Sequence, residues 1–84
     1  MVVEVLTFRL AEGQAEEGFE AADARFTQEV AYRQPGIVRR TTARAADGEW
    51  CVVTFWDDGS EVDLVPPEAD PATVTIRRYS AFVQ

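Results

Sequence analysis

Residues 57–70, with the sequence DDGSEVDLVPPEAD, decide the fold of this chain. The segment carries six carboxylates and no basic residue, and Pro66 and Pro67 follow one another in its second half. A proline lacks a backbone N–H and disfavours helical geometry in the residue before it. We therefore expect no long helix in this segment, and at most a short turn or an extended piece over residues 61–65.

The acidic segment stands where a second helix would normally carry the chain back across a sheet, so one layer of cover is expected to be missing. Three apolar residues, Val62, Leu64 and Val65, lie among the carboxylates. An uncovered apolar sheet surface needs a partner, either from this segment or from a neighbouring subunit. We expect the segment itself to fold back and fill part of the gap.

The residues before this segment predict a strand followed by a helix. Residues 2–10 alternate and are mostly apolar on both faces, which is typical of a central strand. Residues 15–34 predict an amphipathic helix whose aromatic side chains pack in the core, because their apolar residues recur at steps of three and four. Those residues are Phe19, Ala22, Phe26 and Val30.

Residues 37–44 and 49–56 predict a β-hairpin, because Asp47 and Gly48 between alternating runs are the strongest short-range hairpin signal. The second run is apolar on both faces and therefore central. Residues 72–83 then predict the last strand. Three basic residues mark the first run of the hairpin as an edge strand, namely Arg39, Arg40 and Arg44.

These elements predict an α+β fold: a ferredoxin-like four-stranded antiparallel sheet with one long helix, in a single domain spanning residues 1–84. A chain of 84 residues buries only about 60 to 65% of the surface that its unfolded form exposes, so its stability is marginal. Oligomerisation is the usual remedy, and we expect a homodimer.

The composition excludes several classes of protein. The formal net charge is −7, from fifteen carboxylates against eight arginines, so nucleic acid would be repelled. The lone Cys51 cannot form an internal disulfide and indicates a reducing compartment. Residues 1–10 lack a basic segment followed by a long apolar core, and no stretch approaches the roughly eighteen apolar residues of a membrane span. We expect a cytoplasmic protein without a membrane or nucleic-acid partner.

The order of elements and the residues that punctuate them resemble the dimeric α/β-barrel superfamily, and within it the antibiotic biosynthesis monooxygenase-like group. The resemblance covers nearly the whole chain and rests on five short stretches: VEVLTFRL (3–10), QPGI (34–37), DGEW (47–50), VTFW (53–56) and DPATVTIRRY (70–79). It implies a homodimer in which two sheets face one another. The chain departs from the family at residues 57–70, where relatives have a second helix.

Histidine is absent from the chain, so the resemblance does not bring with it the haem-degrading, chlorite-dismutating or lactone-isomerising activities that commonly rely on that residue. With one cysteine and no imidazole, ordinary zinc and copper sites are excluded as well. The carboxylates of residues 57–61 do not have the spacing of a calcium loop, and we interpret them as solvated. The sequence therefore predicts no metal site and no cofactor.

A set of aromatic and hydrogen-bonding residues on the strands forms the candidate ligand site, with Thr7 and Arg9 of the first strand beside it. If several of them share the sheet face opposite the helix, they would line a cavity for a flat, partly anionic aromatic molecule. The resemblance implies roles for Arg39 or Arg78 in holding the anion and for Trp56 or Tyr79 in packing the ring. The set is Arg39, Thr41, Trp50, Thr54, Trp56, Arg78 and Tyr79.

Three functions fit these residues. The first is a homodimeric assembly or interaction module without catalysis, in which Trp50 and Trp56 belong to the interface core and the arginines protect edges or pair with the partner. The second is a binding protein for an aromatic, polyketide-like small molecule. The third, implied by the resemblance, is a cofactor-independent oxygenase that acts on a deprotonated polycyclic phenol. Since an error of one residue in strand register turns every side chain over, the residues alone leave all three open.

Overall fold

The computed structural model describes residues 1–57 and 63–82. Its strands are β1 (Val2–Phe8), β2 (Ile37–Arg44), β3 (Trp50–Trp56) and β4 (Thr75–Ser80), and its helix is α1 (Glu16–Glu29). Two short 3₁₀ turns, Ala31–Arg33 and Pro71–Thr73, follow α1 and precede β4. Between β3 and β4, the described residues contain no helix other than the second of these turns. The predicted order of elements is confirmed.

Three predicted bounds need correction. The first strand ends at Phe8 rather than at residue 10. The helix ends at Glu29 rather than at residue 34, because the chain tightens into the 3₁₀ turn Ala31–Arg33. The last strand begins at Thr75 rather than at residue 72, because Pro71–Thr73 forms the other 3₁₀ turn. The end predicted for this strand, residue 83, lies outside the described residues.

The four strands form one antiparallel sheet in the order β2-β3-β1-β4. This is the ferredoxin-like order, with β1 and β3 in the centre and β2 at an edge, as predicted from the sequence. A β-bulge between Ile37 and Arg39 shifts the register of β2 against β3. Because of the bulge, Ile37 faces the same side of the sheet as Arg40 instead of the same side as Arg39.

The turn between β2 and β3 follows the predicted hairpin signal. Gly48 has a φ of 91°, a left-handed conformation that favours glycine. The Asp47 carboxylate accepts a hydrogen bond from the backbone N–H of Glu49, and this bond is the main reason that the pKa of Asp47 lies below its ordinary value. Arg9 donates to both the side chain and the backbone carbonyl of Asp47, which ties the turn to the end of β1.

One face of the sheet is covered by α1 and by the acidic segment, and we call it the covered face. Two apolar clusters fill it. The first is Leu6, Phe8, Phe19, Trp50, Val52 and Ala69. The second is Ala31, Trp56 and Leu64. Each cluster combines strand residues with a residue of the acidic segment, so this segment contributes directly to the core.

The predicted folding back of the acidic segment is confirmed for two of its three apolar residues. Leu64 is buried against Trp56, and Val65 packs against the first cluster. Val62 lies outside the described residues. Their burial replaces part of the cover that a second helix would give.

The helix packs as predicted at Phe19, which is fully buried, and Phe26 packs against the second cluster. The prediction for Val30 is wrong, because this side chain is 37% exposed. The helix ends there, and Ala31 of the following turn is buried instead. Asp23, four residues after Phe19 and three before Phe26, is buried within the stripe that the sequence assigned to apolar residues.

The other face of the sheet carries no helix or loop among the described residues, and we call it the open face. Its centre is apolar and half-buried, and it consists of Val3, Val5, Cys51, Val53 and Phe55. Its margins are exposed and polar, with Arg39 and Thr41 on β2 and Arg77 and Tyr79 on β4. The Arg77 guanidinium lies over the Tyr79 ring, 5.3 Å from its centroid.

Candidate functional site

A row of four polar side chains crosses the covered face, one from each strand. The strand registers pair Arg40 with Thr54, Thr54 with Glu4, and Glu4 with Arg78. Arg40, Thr54 and Glu4 are buried. Residues paired across neighbouring strands point to the same side of a sheet, so the four side chains form one polar row between the two apolar clusters.

The α1 end of the polar row is a buried ion pair. Arg40 Nη2 donates to Asp23 Oδ1 at 3.0 Å, and Arg40 Nη1 donates to Thr27 Oγ1 at 2.5 Å. The Thr42 hydroxyl donates to the other carboxylate oxygen, Asp23 Oδ2, at 2.7 Å. The Arg40 guanidinium also lies over the Phe26 ring, 5.2 Å from its centroid. These contacts hold the Asp23 carboxylate in one orientation.

The other end of the polar row reaches the acidic segment. Arg78 Nε donates to Glu4 Oε2 at 3.1 Å, and Arg78 Nη2 also pairs with the Asp63 carboxylate. Burial raises the pKa of the Glu4 carboxyl above its ordinary value, and the nearby charge of Asp63 adds to this effect, while Arg78 opposes both. Arg78 therefore links strand β4 to the segment that replaces the missing helix.

Two buried N–H groups, Arg40 Nε and Trp56 Nε1, have no hydrogen-bond partner among the described residues. An unpaired buried donor costs roughly 1–3 kcal/mol of stability. The contacts of the Trp56 indole among residues 1–57 and 63–82 are therefore apolar packing, against Ala31 and Leu64.

A groove of about 400 Å³ opens beside the α1 end of the polar row, between α1 and the β2–β3 edge of the sheet. We call it the α1–β2 groove. Beneath it lie the rings of Trp50, which is 5% exposed, and of Phe19, which is fully buried, and these rings meet edge to face with their centroids 4.8 Å apart. Its lining residues are Phe19, Glu20, Asp23 and Ala24 from α1 and Thr42, Ala43, Arg44 and Trp50 from the strands.

The two polar ends of the groove differ in exposure. Asp23 and Thr42 bond to one another in its inner wall. Arg44 lies at the exposed side, and its Nη1 donates to both carboxylate oxygens of Glu16, each at 2.9 Å. The Arg44 and Glu16 side chains are about half exposed, so this pair is weak and its geometry is easily changed.

The structure separates the predicted site residues into two groups. Arg39, Thr41 and Tyr79 lie on the open face, where Thr7 also points. The remaining four lie on the covered face: Trp50, Thr54, Trp56 and Arg78. The seven therefore do not line one cavity. Arg9 lies with neither group, because it is bonded to the β2–β3 turn.

The structure also corrects the interpretation of Trp50 and Trp56 as residues of an interface core. Both indoles are buried within the chain, under α1 and the acidic segment. The register of β3 turns them to the covered face, and Val53 and Phe55 take the open face.

Sequence reasoning missed the residues that contribute most to the groove and the polar row, namely Glu4, Asp23, Arg40, Thr42 and Arg44. One signal was present in the sequence. Asp23 occupies an apolar position of the helix, and a carboxylate at such a position needs a buried cationic or hydrogen-bonding partner. An arginine on a facing strand is the natural partner, but the sequence does not tell which of the strand arginines faces inward.

Neither a metal site nor a membrane span is found in the described residues. Residues 1–57 and 63–82 contain no group of three or more metal-ligating side chains close enough to hold an ion. Within the same residues, no helix combines the length and the apolar character that crossing a bilayer requires.

Comparison with known proteins identifies the fold. No protein-family model matches the chain, and no curated protein matches its sequence. Among solved structures, the chain is similar to a mutant of MhuD crystallised with two manganese protoporphyrin IX molecules bound per active site. The TM-score is 0.70, and the likeness covers 100% of this chain and 97% of the other at 17% sequence identity. The ferredoxin-like fold expected from the resemblance is therefore confirmed.

Proposed function

We propose that this protein is a non-catalytic binding module for a flat aromatic small molecule, which it holds in the α1–β2 groove. The observation that carries the proposal is a groove of about 400 Å³ in which the Trp50 ring lies beside the fixed carboxylate of Asp23. Small-molecule sites commonly have volumes of about 300–1,000 Å³ and join apolar surface to a few placed polar groups.

The similar solved structure supports the same class of ligand. MhuD holds manganese protoporphyrin IX, a flat aromatic molecule, in its active site, and this chain has the same fold over its whole length. The present chain contains no histidine, so a metalloporphyrin would lack an imidazole ligand here. We therefore place the ligand among flat aromatic compounds in general, and porphyrins are one member of the test panel.

The binding proposal can be tested with the fluorescence of Trp50, which lines the groove. The background variant Trp56→Phe removes the other indole and breaks no recorded hydrogen bond. Naphthols, anthraquinones and protoporphyrin IX are titrated into it, and we expect at least one class to quench Trp50 in a saturable way. If no class does so, the groove is not a site for flat aromatic ligands.

A matched pair of helix variants assigns the quenching to the groove. Ala24→Phe places a ring in the groove and should abolish saturable quenching. Ala21→Phe makes the same change at an exposed helix position that does not line the groove, and it should leave quenching intact. Quenching that persists in the Ala24 variant would place the ligand elsewhere.

We also propose that the module is a homodimer formed through the open face. The centre of this face is a half-buried apolar strip, and its strand residues include no carboxylate. A second copy of the chain offers a matching apolar strip, while Arg39 and Arg77 at the margins have carboxylates of the partner available to them in a protein of net charge −7.

The dimer proposal is tested by charging the centre of the open face. Val53→Glu should convert a dimer into a monomer in sedimentation velocity, because each subunit would bury a carboxylate without a partner in the apolar strip. Gln28→Glu adds the same charge on the exposed side of α1 and should leave the mass unchanged. A parent protein that sediments as a monomer would refute the proposal directly.

A cofactor-independent oxygenase is the second candidate, since the same groove would hold its aromatic substrate. Its distinguishing property is consumption of oxygen with a bound phenol, which an oxygen electrode measures. We place it second because none of the arginines assigned to the anion by the resemblance lines the groove: Arg39 is on the open face and Arg78 is bonded to Glu4 and Asp63.

A further inference from the structure

The inner wall of the α1–β2 groove has a defined hydrogen-bonding character. Its polar side chains are Asp23, which is buried, and Thr42, which is half-buried, while the exposed carboxylate of Glu20 lines the groove nearer to solvent. Thr42 donates its hydroxyl proton to Asp23 Oδ2, so the threonine oxygen has only lone pairs left to offer. The two Asp23 oxygens also act as acceptors, Oδ1 for Arg40 and Oδ2 for Thr42, and each keeps lone-pair capacity for a further donor.

The Asp23 carboxylate is paired with a cation that the groove does not expose. Arg40 does not line the groove, and its terminal nitrogens are bonded to Asp23, Thr27 and Thr42. Its side chain is only 1% exposed, so a ligand in the groove meets the carboxylate and not the guanidinium. The polar part of the inner wall is therefore a hydrogen-bond acceptor that lies beside aromatic surface.

We infer that the ligand of this groove is a hydroxylated aromatic compound, bound as the neutral phenol, whose hydroxyl donates a hydrogen bond to the Asp23 carboxylate. This inference rests on the proposed binding function and narrows it to one chemical class and one protonation state. A phenolate at the same place would bring its negative charge against the carboxylate and would leave it without a donor.

Binding a neutral phenol at an acceptor differs from the anion-binding arrangement expected from the family resemblance. That arrangement requires an arginine beside the phenolate, whereas the inner wall offers an acceptor. The one arginine that lines the groove, Arg44, stands at the exposed side and is bonded to Glu16. The protein should therefore raise the apparent pKa of a bound phenol.

The test uses 4-nitrophenol, because its phenolate and its phenol absorb at different wavelengths. The Trp56→Phe background protein is added in excess at a pH where both forms of the free ligand are present. We expect the phenolate absorbance to fall, and to stay unchanged with the Ala24→Phe variant, in which the groove is filled. An increase in phenolate absorbance on binding would overturn the inference.

A second ligand isolates the role of the donor without changing the protein. 4-Nitroanisole carries a methyl group in place of the phenolic proton and keeps the flat nitroaromatic ring. We expect it to bind roughly tenfold more weakly than 4-nitrophenol, measured by quenching of Trp50, because a hydrogen bond to a charged group is lost. Equal affinities would overturn the inference.

The outcomes separate this inference from the proposed function. If both nitroaromatics quench Trp50 equally and the Ala24 variant blocks both, the groove binds aromatic compounds without distinguishing a phenolic hydroxyl from a methyl ether. If neither these ligands nor the aromatic panel quenches Trp50, the proposed function itself fails and the inference fails with it.

Discussion

The two edges of the covered face are covered by different elements, one by α1 and the other by the acidic segment. Each has an arginine on an edge strand bonded to a carboxylate, Arg40 with Asp23 under α1 and Arg78 with Glu4 beside the acidic segment. The Arg40 side chain is 1% exposed, whereas the Arg78 side chain is 41% exposed. The extent to which an edge arginine is buried therefore depends on what covers it.

The difference follows from the regularity of a helix. Asp23 and Thr27 are one helical turn apart on α1, so both side chains reach the Arg40 guanidinium from the same side. The acidic segment supplies Asp63 from an irregular backbone, and this carboxylate is itself exposed. A helix can bury a charge with its partners, and the segment mainly contributes apolar packing through Leu64 and Val65.

The largest expected effect comes from breaking the buried pair. Arg40→Met leaves the Asp23 carboxylate buried without its cation and should lower the free energy of unfolding by about 3–5 kcal/mol. Arg78→Met also leaves a buried carboxylate, that of Glu4, without its cation, but it removes a partly solvated side chain and should cost less, about 1–3 kcal/mol. Urea denaturation at fixed protein concentration measures both.

A double variant tests the cause of that effect. Arg40→Met combined with Asp23→Ala carries no buried charge at this place and should regain part of the stability lost in the single variant. Equal losses for Arg40→Met and Arg78→Met would mean that the two edges bury their charges alike, and the contrast drawn between them would be wrong.

The next effect measures how far the acidic segment acts as cover. Leu64→Ala removes a buried side chain from the cluster around Trp56 and should cost about 2–3 kcal/mol. Val30→Ala, a truncation of an exposed residue at the end of α1, should cost about 0.5 kcal/mol or less. A cost for the Leu64 variant as small as that of the Val30 variant would show that the segment does not stabilise the fold.

The smallest effect depends on pH. Burial raises the pKa of Glu4 above its ordinary value of 4.5, so the folded protein holds this proton more tightly than the unfolded chain does. Ionisation of Glu4 therefore lowers the free energy of unfolding as the pH rises from 4.5 through the raised folded value. Glu4→Gln removes this loss and should be more stable than the parent at neutral pH, with no advantage well below pH 4.5.

Denaturation at a series of pH values follows the difference between the Glu4 variant and the parent. Glu29→Gln, at an exposed position at the end of α1, serves as the control for a lost carboxylate. An advantage of the Glu4 variant that grows as the pH falls would have the wrong sign and would contradict the raised pKa.

Local sequence patterns were sufficient for most of the fold. Asp47 and Gly48 placed the hairpin, and the helical spacing around Phe19 placed α1. Pro66 and Pro67 predicted that no long helix follows β3, and residues 57 and 63–74, the described part of that connection, contain none. These signals act through backbone geometry and periodicity within a few residues, so they do not depend on the rest of the chain.

The candidate site was much less predictable. The β-bulge between Ile37 and Arg39 adds one residue to β2, so alternation counted from Ile37 would wrongly place Arg39 rather than Arg40 beneath α1. No residue pattern in β2 predicts the bulge. The pairing of Asp23 with Arg40 joins positions 17 residues apart, and only the packing of α1 against the sheet brings them together.

The sequence by itself therefore determined the order of the elements, the lack of a long second helix within the described residues, and the participation of Leu64 and Val65 in the core. Tertiary structure decided which face each strand residue occupies, and with it the polar row, the groove and the open face. The physical reason is that side chains alternate along a strand, so a shift of one residue, such as a bulge introduces, exchanges the two faces while leaving every local propensity unchanged.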